Sequence, residues 1–365
     1  MAALKDEIDT GLGRRLAGEL AAAWPAFPRR RLMYGLADAL EPLQLLARVD
    51  LLADRLARAL PSPFPAAAQV LWRALDSPSF VGWMTLPCGT FVAKRGISDP
   101  EVALPLLAGL TPRWSSEGPI RPFIERHPEL TYDHLRRWAT DADEHVRRLV
   151  SEGTRPRLPW APQLRGLIAD PSPNVPLLDA LVDDPSPYVR RSVANHLNDI
   201  AKDHPRPAIE LARGWMARSD SAAWVVRHGL RTLVKRGDPD ALELLGAATD
   251  AAIHLTDLAI DRSQIPIGDA ATFTFTVELS PRQPGAVDAV IDYRVHYVGA
   301  TGVKAPKVFK LTRRRLEPGI PVTVTRRHRF EHVSIRRILP GPHVIDVQVN
   351  GRVLGSTTIE VTPAA

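Results

Sequence analysis

The chain has 365 residues, 45% of them apolar and 24% charged, an ordinary globular composition with room for two cores, so a single domain is not expected. Its one cysteine, Cys88, excludes an intramolecular disulfide and any Cys-x-x-Cys metal pair. The net charge of +6 is unevenly placed: from Arg262 onward there are 15 Lys and Arg against 8 Asp and Glu, whereas the first 261 residues hold 32 against 33. A basic excess confined to one part of a chain points to a polyanion, nucleic acid first, with a solubilising surface as the alternative.

At the start, Met1 to Glu19 carries Asp6, Glu7 and Asp9 ahead of any apolar run, unlike a secretory signal. Gly11-Leu-Gly13-Arg-Arg-Leu-Ala-Gly18 lacks both the preceding strand and the glycine spacing of a dinucleotide loop. The longest uncharged stretch, Ser77 to Ala93, is broken by Pro78, Gly82, Pro87 and Gly89 and is too short to span a bilayer. These features predict a soluble, cytoplasmic protein with no membrane partner.

Up to about residue 255 apolar residues recur at three- and four-residue spacing, as in Leu43 to Leu60 and Glu101 to Leu110, between proline-containing turns, which predicts helices. Three segments align without gaps: Asp141-Ala-Asp-Glu-His-Val146-Arg147-Arg148, Asp184-Pro-Ser-Pro-Tyr-Val189-Arg190-Arg191 and Asp220-Ser-Ala-Ala-Trp-Val225-Val226-Arg227. Intervals of 43 and 36 between the valines are HEAT-like. Each Asp is expected to begin a turn or cap a helix and each Val to enter the core, with the arginine two positions on projecting from a shared surface. Such a row suits phosphate; alternatively these arginines solvate the repeat or pair with the turn aspartates.

From Ile265 the pattern alternates, as in Thr272-Phe273-Thr274-Phe275-Thr276-Val277, Ile291 to Val295 and Val344 to Val349, predicting six or seven strands in a small antiparallel immunoglobulin-like sandwich. The fold class is therefore an α-helical HEAT-like repeat solenoid, residues 1–255, followed by a small all-β sandwich, residues 256–365. Nucleophile elbow, phosphate loop and zinc spacings are missing from the sequence, so the common hydrolase and metal chemistries lose support.

The most unusual segment is Glu144-His-Val-Arg147-Arg148-Leu-Val-Ser151-Glu152-Gly153-Thr154-Arg155-Pro156-Arg157-Leu158-Pro159-Trp160, where glycine, prolines, arginines and a tryptophan replace the continuing helix of a plain repeat. With Leu110-Thr111 leading to Ser116-Glu117 and Ile120-Arg121-Pro122-Phe123-Ile124, and with Asn195-His196-Leu197-Asn198-Asp199, it resembles the AlkC branch of the HEAT-like-repeat DNA alkylation-repair glycosylases. The resemblance covers most of residues 40 to 245, and the C-terminal sandwich resembles the immunoglobulin-like module of a subset of that branch. The Gly118-Pro119 pair departs from the bulkier, more apolar pair expected there.

The resemblance implies a monofunctional glycosylase that releases cationic alkylated bases, such as 3-methyladenine and 3-methylcytosine, from duplex DNA without deep base flipping, with no metal or cofactor expected. It assigns Glu117, Glu152 and Asp199 as acidic catalytic positions and Trp160 as the aromatic one. Read from the residues alone, Glu152 pairing with Arg155, Asp199 capping a helix and Trp160 in the core are the alternatives. Arg121, Arg147, Arg148, Arg155, Arg157, Arg190 and Arg191 are candidates for phosphate contacts, since the planar arginine fork suits phosphate. Lys304, Lys307, Lys310, Arg313, Arg314 and Arg315 in the sandwich are candidates for a second grip on DNA, with Arg326, Arg327 and Arg329 near the next strand. A monomer is expected. The competing functions are a non-catalytic helical scaffold that binds DNA or a partner protein, and a protein-binding adaptor whose sandwich takes an acidic partner.

Overall fold

The computed structural model describes residues 4–299, 302–303, 305–333 and 336–364. The chain divides into two compact units, Met1–Asp203 with Trp215–Gly229, and His204–Gly214 with Leu230–Ala365. The first is helical. In the second, the last helices of the helical region group with the strands.

The three aligned segments adopt related structures. Asp141 accepts from the Asp143 backbone N–H at 2.8 Å and Asp184 from the Ser186 N–H at 2.8 Å, the same Asx turn in two repeats. The helices that follow are Glu144–Gly153 and Pro187–Asp203. In the third segment Asp220 is already the first residue of the Asp220–Gly229 helix, and Ser219 accepts from the Ala222 N–H instead. Val146, Val189 and Val225 are all buried, in line with the repeat register. Arg147 and Arg190 also share a role: each guanidinium donates to two carbonyls of its own turn, Asp141 and Ala142 in one case and Asp184 and Pro185 in the other. Among the described residues no helix is long and apolar enough to cross a membrane.

The strands are β1 (Ile253–Ile260), β2 (Gln264–Pro266), β3 (Ala270–Leu279), β4 (Val287–His296), β5 (Val298–Gly299), β6 (Gly302–Val303), β7 (Lys307–Leu316), β8 (Val322–Arg329), β9 (Gly341–Val349) and β10 (Arg352–Thr362). They form a sheet ordered β1-β3-β8, another ordered β2-β10-β9-β4-β7, and a small β5-β6 pair. Strict alternation buries Phe273, Phe275, Val277 and Leu279 of β3 in one core with Ile291, Tyr293 and Val295 of β4 and Ile345, Val347 and Val349 of β9. Two features differ from the sequence expectation. The first strand begins at Ile253, where a bulge between Thr256 and Ala259 and a positive φ at Asp257 break the alternation that would have marked it. β2 pairs with β10 in parallel, so the sandwich is not wholly antiparallel.

Candidate active site

The carboxylates come from adjacent repeats. On the Pro187–Asp203 helix, Tyr188, Ser192, Asn195 and Asp199 follow i, i+4, i+7, i+11 and so share one stripe. On the Glu144–Gly153 helix, His145, Arg148 and Glu152 form the corresponding stripe at i, i+3, i+7. Glu117 reaches the same place from the segment before the Arg121–Arg126 helix. That approach needs Gly153: a Cβ there would lie 2.7 Å from Ile120 Cγ2, and the Glu117 Cα is only 3.8 Å away.

A chain of alternating charges results. Arg148 Nη1 donates to Glu117 Oε2 at 3.0 Å, and its Nη2 lies 3.6 Å from Glu152 Oε1. Arg155 then donates from Nη1 to Glu152 Oε1 at 2.7 Å and from Nε to Asp199 Oδ2 at 2.9 Å. Lys202 Nζ completes Asp199 at 2.8 Å, Ser192 donates to Glu152 Oε2 at 2.6 Å, and Ser115 donates to Glu117. Glu152 and Asp199 are 6% and 1% exposed, burial that a carboxylate tolerates only when paired and hydrogen-bonded. Burial opposes the charge of Arg155, but Glu152 and Asp199 together hold its pKa above the ordinary arginine value.

Beneath this chain lies a neutral network. His196, fully buried, donates from Nδ1 to the Ser151 carbonyl at 2.9 Å and accepts at Nε2 from Asn174 Nδ2 at 3.2 Å. Tyr132 donates to Asn174 Oδ1 at 2.7 Å. Burial pushes the His196 pKa down to about 4, so the ring is neutral near pH 7.

Two of the candidate phosphate ligands are corrected here. Arg121 is 2% exposed and donates to the carbonyls of Pro162 at 2.8 Å, Gly153 at 3.0 Å and Arg155 at 2.8 Å. A guanidinium enclosed in this way staples the 153–162 loop and is closed to phosphate. Burial lowers its pKa to about 10, which still leaves it charged near neutrality. Arg155 is likewise buried and committed to Glu152 and Asp199. Arg147 pairs through both nitrogens with Asp184, and with Arg190 it secures the repeat turns, the turn-pairing alternative raised by the sequence. Arg157 pairs with Asp203 at the surface, while Arg191 is exposed.

Trp160 is not in the core. It is 67% exposed and holds φ at 62°, a left-handed conformation unfavourable for a large side chain. In the sandwich, Lys307, Lys310, Arg313, Arg314 and Arg315 are exposed on β7, an edge strand where cations also discourage sheet extension. Arg326, Arg327 and Arg329 lie on β8 in the other sheet, and Lys304 lies outside the described residues. Sequence reasoning passed over Ser192, Lys202 and Tyr188. The Arg148 guanidinium sits 4.5 Å from the Tyr188 ring centre, a contact whose signal was the position of Tyr188 in the repeat register. Among the described residues there is no group of three or more His, Cys, Asp or Glu able to hold a metal ion.

Helical repeats whose successive members contribute paired carboxylates, followed in the same chain by an immunoglobulin-like sandwich, define a class of repeat protein with a polar centre built across repeats. Residues 254–363 match the family model described as uncharacterised protein YhaZ, C-terminal Ig-like domain, and residues 174–254 match HEAT repeats. The chain is similar to uncharacterized protein YhaZ of Bacillus subtilis (strain 168), 33% identical over 362 residues that cover 99% of this chain and 100% of that protein. It is also similar to the solved structure of Pseudomonas fluorescens alkylpurine DNA glycosylase AlkC bound to DNA containing an abasic site analog, at 35% identity and a TM-score of 0.92 over 99% of this chain and 100% of that one. The chain belongs to the AlkC branch of the HEAT-like-repeat DNA alkylation-repair glycosylase family.

Proposed function

We propose that this protein is a monofunctional DNA glycosylase that hydrolyses the N-glycosidic bond of cationic alkylated bases, 3-methyladenine and 3-methylcytosine among them, in duplex DNA and without deep base flipping. The observation that carries this reading is the meeting of Glu152 and Asp199, from successive repeats, on one guanidinium, with Glu117 joined to them through Arg148. The AlkC enzyme of similar fold was captured with an abasic site analog, the state of DNA after base release.

A base alkylated on a ring nitrogen leaves as a neutral molecule when the C1′–N bond breaks and takes the bonding pair, so little general-acid help is needed. The difficult species is the oxocarbenium-like sugar, and a carboxylate beside it acts where positive charge develops. Glu152 and Asp199 take the sugar and the attacking water between them, one accepting the proton that water loses on bonding to C1′. Glu117 adds negative potential in the same place, and Trp160 offers a ring face to the lesion nucleotide. The arginine and lysine partners hold the acids in place until a cationic nucleotide arrives to share them.

Residues 1–255 form the glycosylase domain in this reading, and 256–365 a basic accessory that grips DNA through Lys307, Lys310 and Arg313 to Arg315. Phosphates fall to Arg191, which is exposed, and to Arg157 at the surface. The test is incubation of the full chain with methylated duplex DNA and chromatography of the supernatant. Release of 3-methyladenine and 3-methylcytosine is expected; DNA binding with no free base under any condition favours the non-catalytic scaffold.

A further inference from the structure

The repeat register that aligns the three valines also aligns the residues just before them, His145, Tyr188 and Trp224. All three carry aromatic rings. His145 and Tyr188 stand in the first turn of the Glu144–Gly153 and Pro187–Asp203 helices, and Trp224 is the fifth residue of the Asp220–Gly229 helix, which begins earlier relative to its valine. His145 and Tyr188 meet edge to face with ring centres 5.6 Å apart, and Trp224 stacks on His228 of its own helix at 5.1 Å and 5°. A ring facing the core would be buried like the valine beside it. Instead Tyr188 is 38% and Trp224 39% exposed.

Two members of the row, His145 and Tyr188, lie on the helix stripes that carry the acids. Tyr188 opens the stripe that ends in Asp199, and His145 opens the stripe that ends in Glu152. The Arg148 guanidinium over the Tyr188 ring also bonds Glu117. Glu117, Glu152 and Glu144 act on the Tyr188 phenol, whose pKa is raised, first by burial. Exposed rings repeated at helical-repeat spacing beside arginines match what recognises unstacked nucleobases: flat apolar faces to stack on, with cations for the backbone.

We propose that Tyr188 and Trp224, with His145 at the end of the row, form a stacking platform for the nucleobases that flank the lesion, distinct from the acidic centre itself. This rests on the DNA glycosylase reading above. By stacking, the platform holds the strand in register over Glu152 and Asp199 and offsets the stacking lost around a distorted nucleotide. It is insensitive to base identity, because every base has a π face.

The experiment is titration of the full chain against a labelled duplex carrying a tetrahydrofuran abasic analogue, at several salt concentrations. Tyr188→Leu and Trp224→Leu, which keep apolar bulk against the fold, are each expected to weaken binding about tenfold, while Tyr188→Phe and Trp224→Phe bind within about twofold of wild type. The Arg148 guanidinium sits over Tyr188, so the Trp224 variants report a ring of the row without disturbing that cation–π contact. The slope of log affinity against log salt stays unchanged in all four, since a neutral ring releases no counterions. Leucine variants that bind as tightly as wild type overturn the platform, as do phenylalanine variants that lose as much as leucine. Release of methylated base by wild type in the same preparation reports on the glycosylase reading separately: release together with unaltered binding by the leucine variants removes only the platform.

Discussion

Arg121 Nε stands 2.8 Å from the carbonyl oxygen of Pro162, 41 positions later in the chain. With the bonds to Gly153 and Arg155, this one buried guanidinium sets the path of the loop that carries Arg155 and Trp160. Replacing it with methionine leaves several buried carbonyls without donors, at a cost on the order of 3 kcal/mol or more. Urea unfolding is expected to show that loss in Arg121→Met and almost none in Arg191→Ala. DNA titrations are expected to show the reverse contrast in salt dependence, with Arg191→Ala lowering the slope by about 0.9. Equal stability of Arg121→Met and wild type would return Arg121 to the surface.

Gly153→Ala tests the close approach that delivers Glu117. The added methyl meets Ile120, which is fully buried, so the 117–120 segment must shift, at about 1–3 kcal/mol. Combining it with Ile120→Ala, which removes the opposing methyl, is expected to cost less than the two single changes together. Strict additivity in denaturant midpoints would show that the two sites are independent.

His196 predicts a pH dependence. Its pKa is about 4 in the fold and about 6.5 in an unfolded chain, so the unfolded state binds the extra proton between these values. Stability from this group is complete above about pH 6.5, falls as pH drops toward 4, and falls no further below, a total on the order of 3 kcal/mol. His328 in the sandwich, also held at about 4 chiefly by burial, adds a decline of the same sign. His196→Gln should therefore flatten the stability loss between pH 6.5 and 4 relative to wild type; parallel curves would mean that His196 is not the titrating group.

Arg155 neutralises two buried acids at once. Arg155→Met leaves Glu152 and Asp199 facing each other with one cation fewer, and a loss of about 3–5 kcal/mol is expected in urea unfolding. Adding Asp199→Asn to Arg155→Met should recover part of that loss, because the uncompensated charge is gone. No recovery would argue against charge pairing as the source of the effect.

Much of this was legible in the sequence because periodicity carries it. The valine register gave the repeats, and the alternation from Thr272 to Val277 gave β3. The break at Gly153 to Trp160 marked the segment that joins Glu152 to Asp199. Arg121 and Arg155 were misplaced for a chemical reason: a planar fork of N–H donors suits carbonyls and carboxylates as well as phosphates, and only burial separates the cases. Tyr188 was hidden for a similar reason, since a first-turn aromatic beside a core valine looks like core until its exposure is known. β1 was obscured by its own bulge.

The central claim is tested most directly by single-turnover base release from a 3-methyladenine duplex by Asp199→Asn and Glu152→Gln, each near-isosteric with the native acid. The account predicts that both slow release by about 100-fold or more while binding of abasic-analogue DNA stays within a few-fold of wild type. Release at the wild-type rate by both variants would contradict it, because the acids would then be holding the repeats together and nothing more.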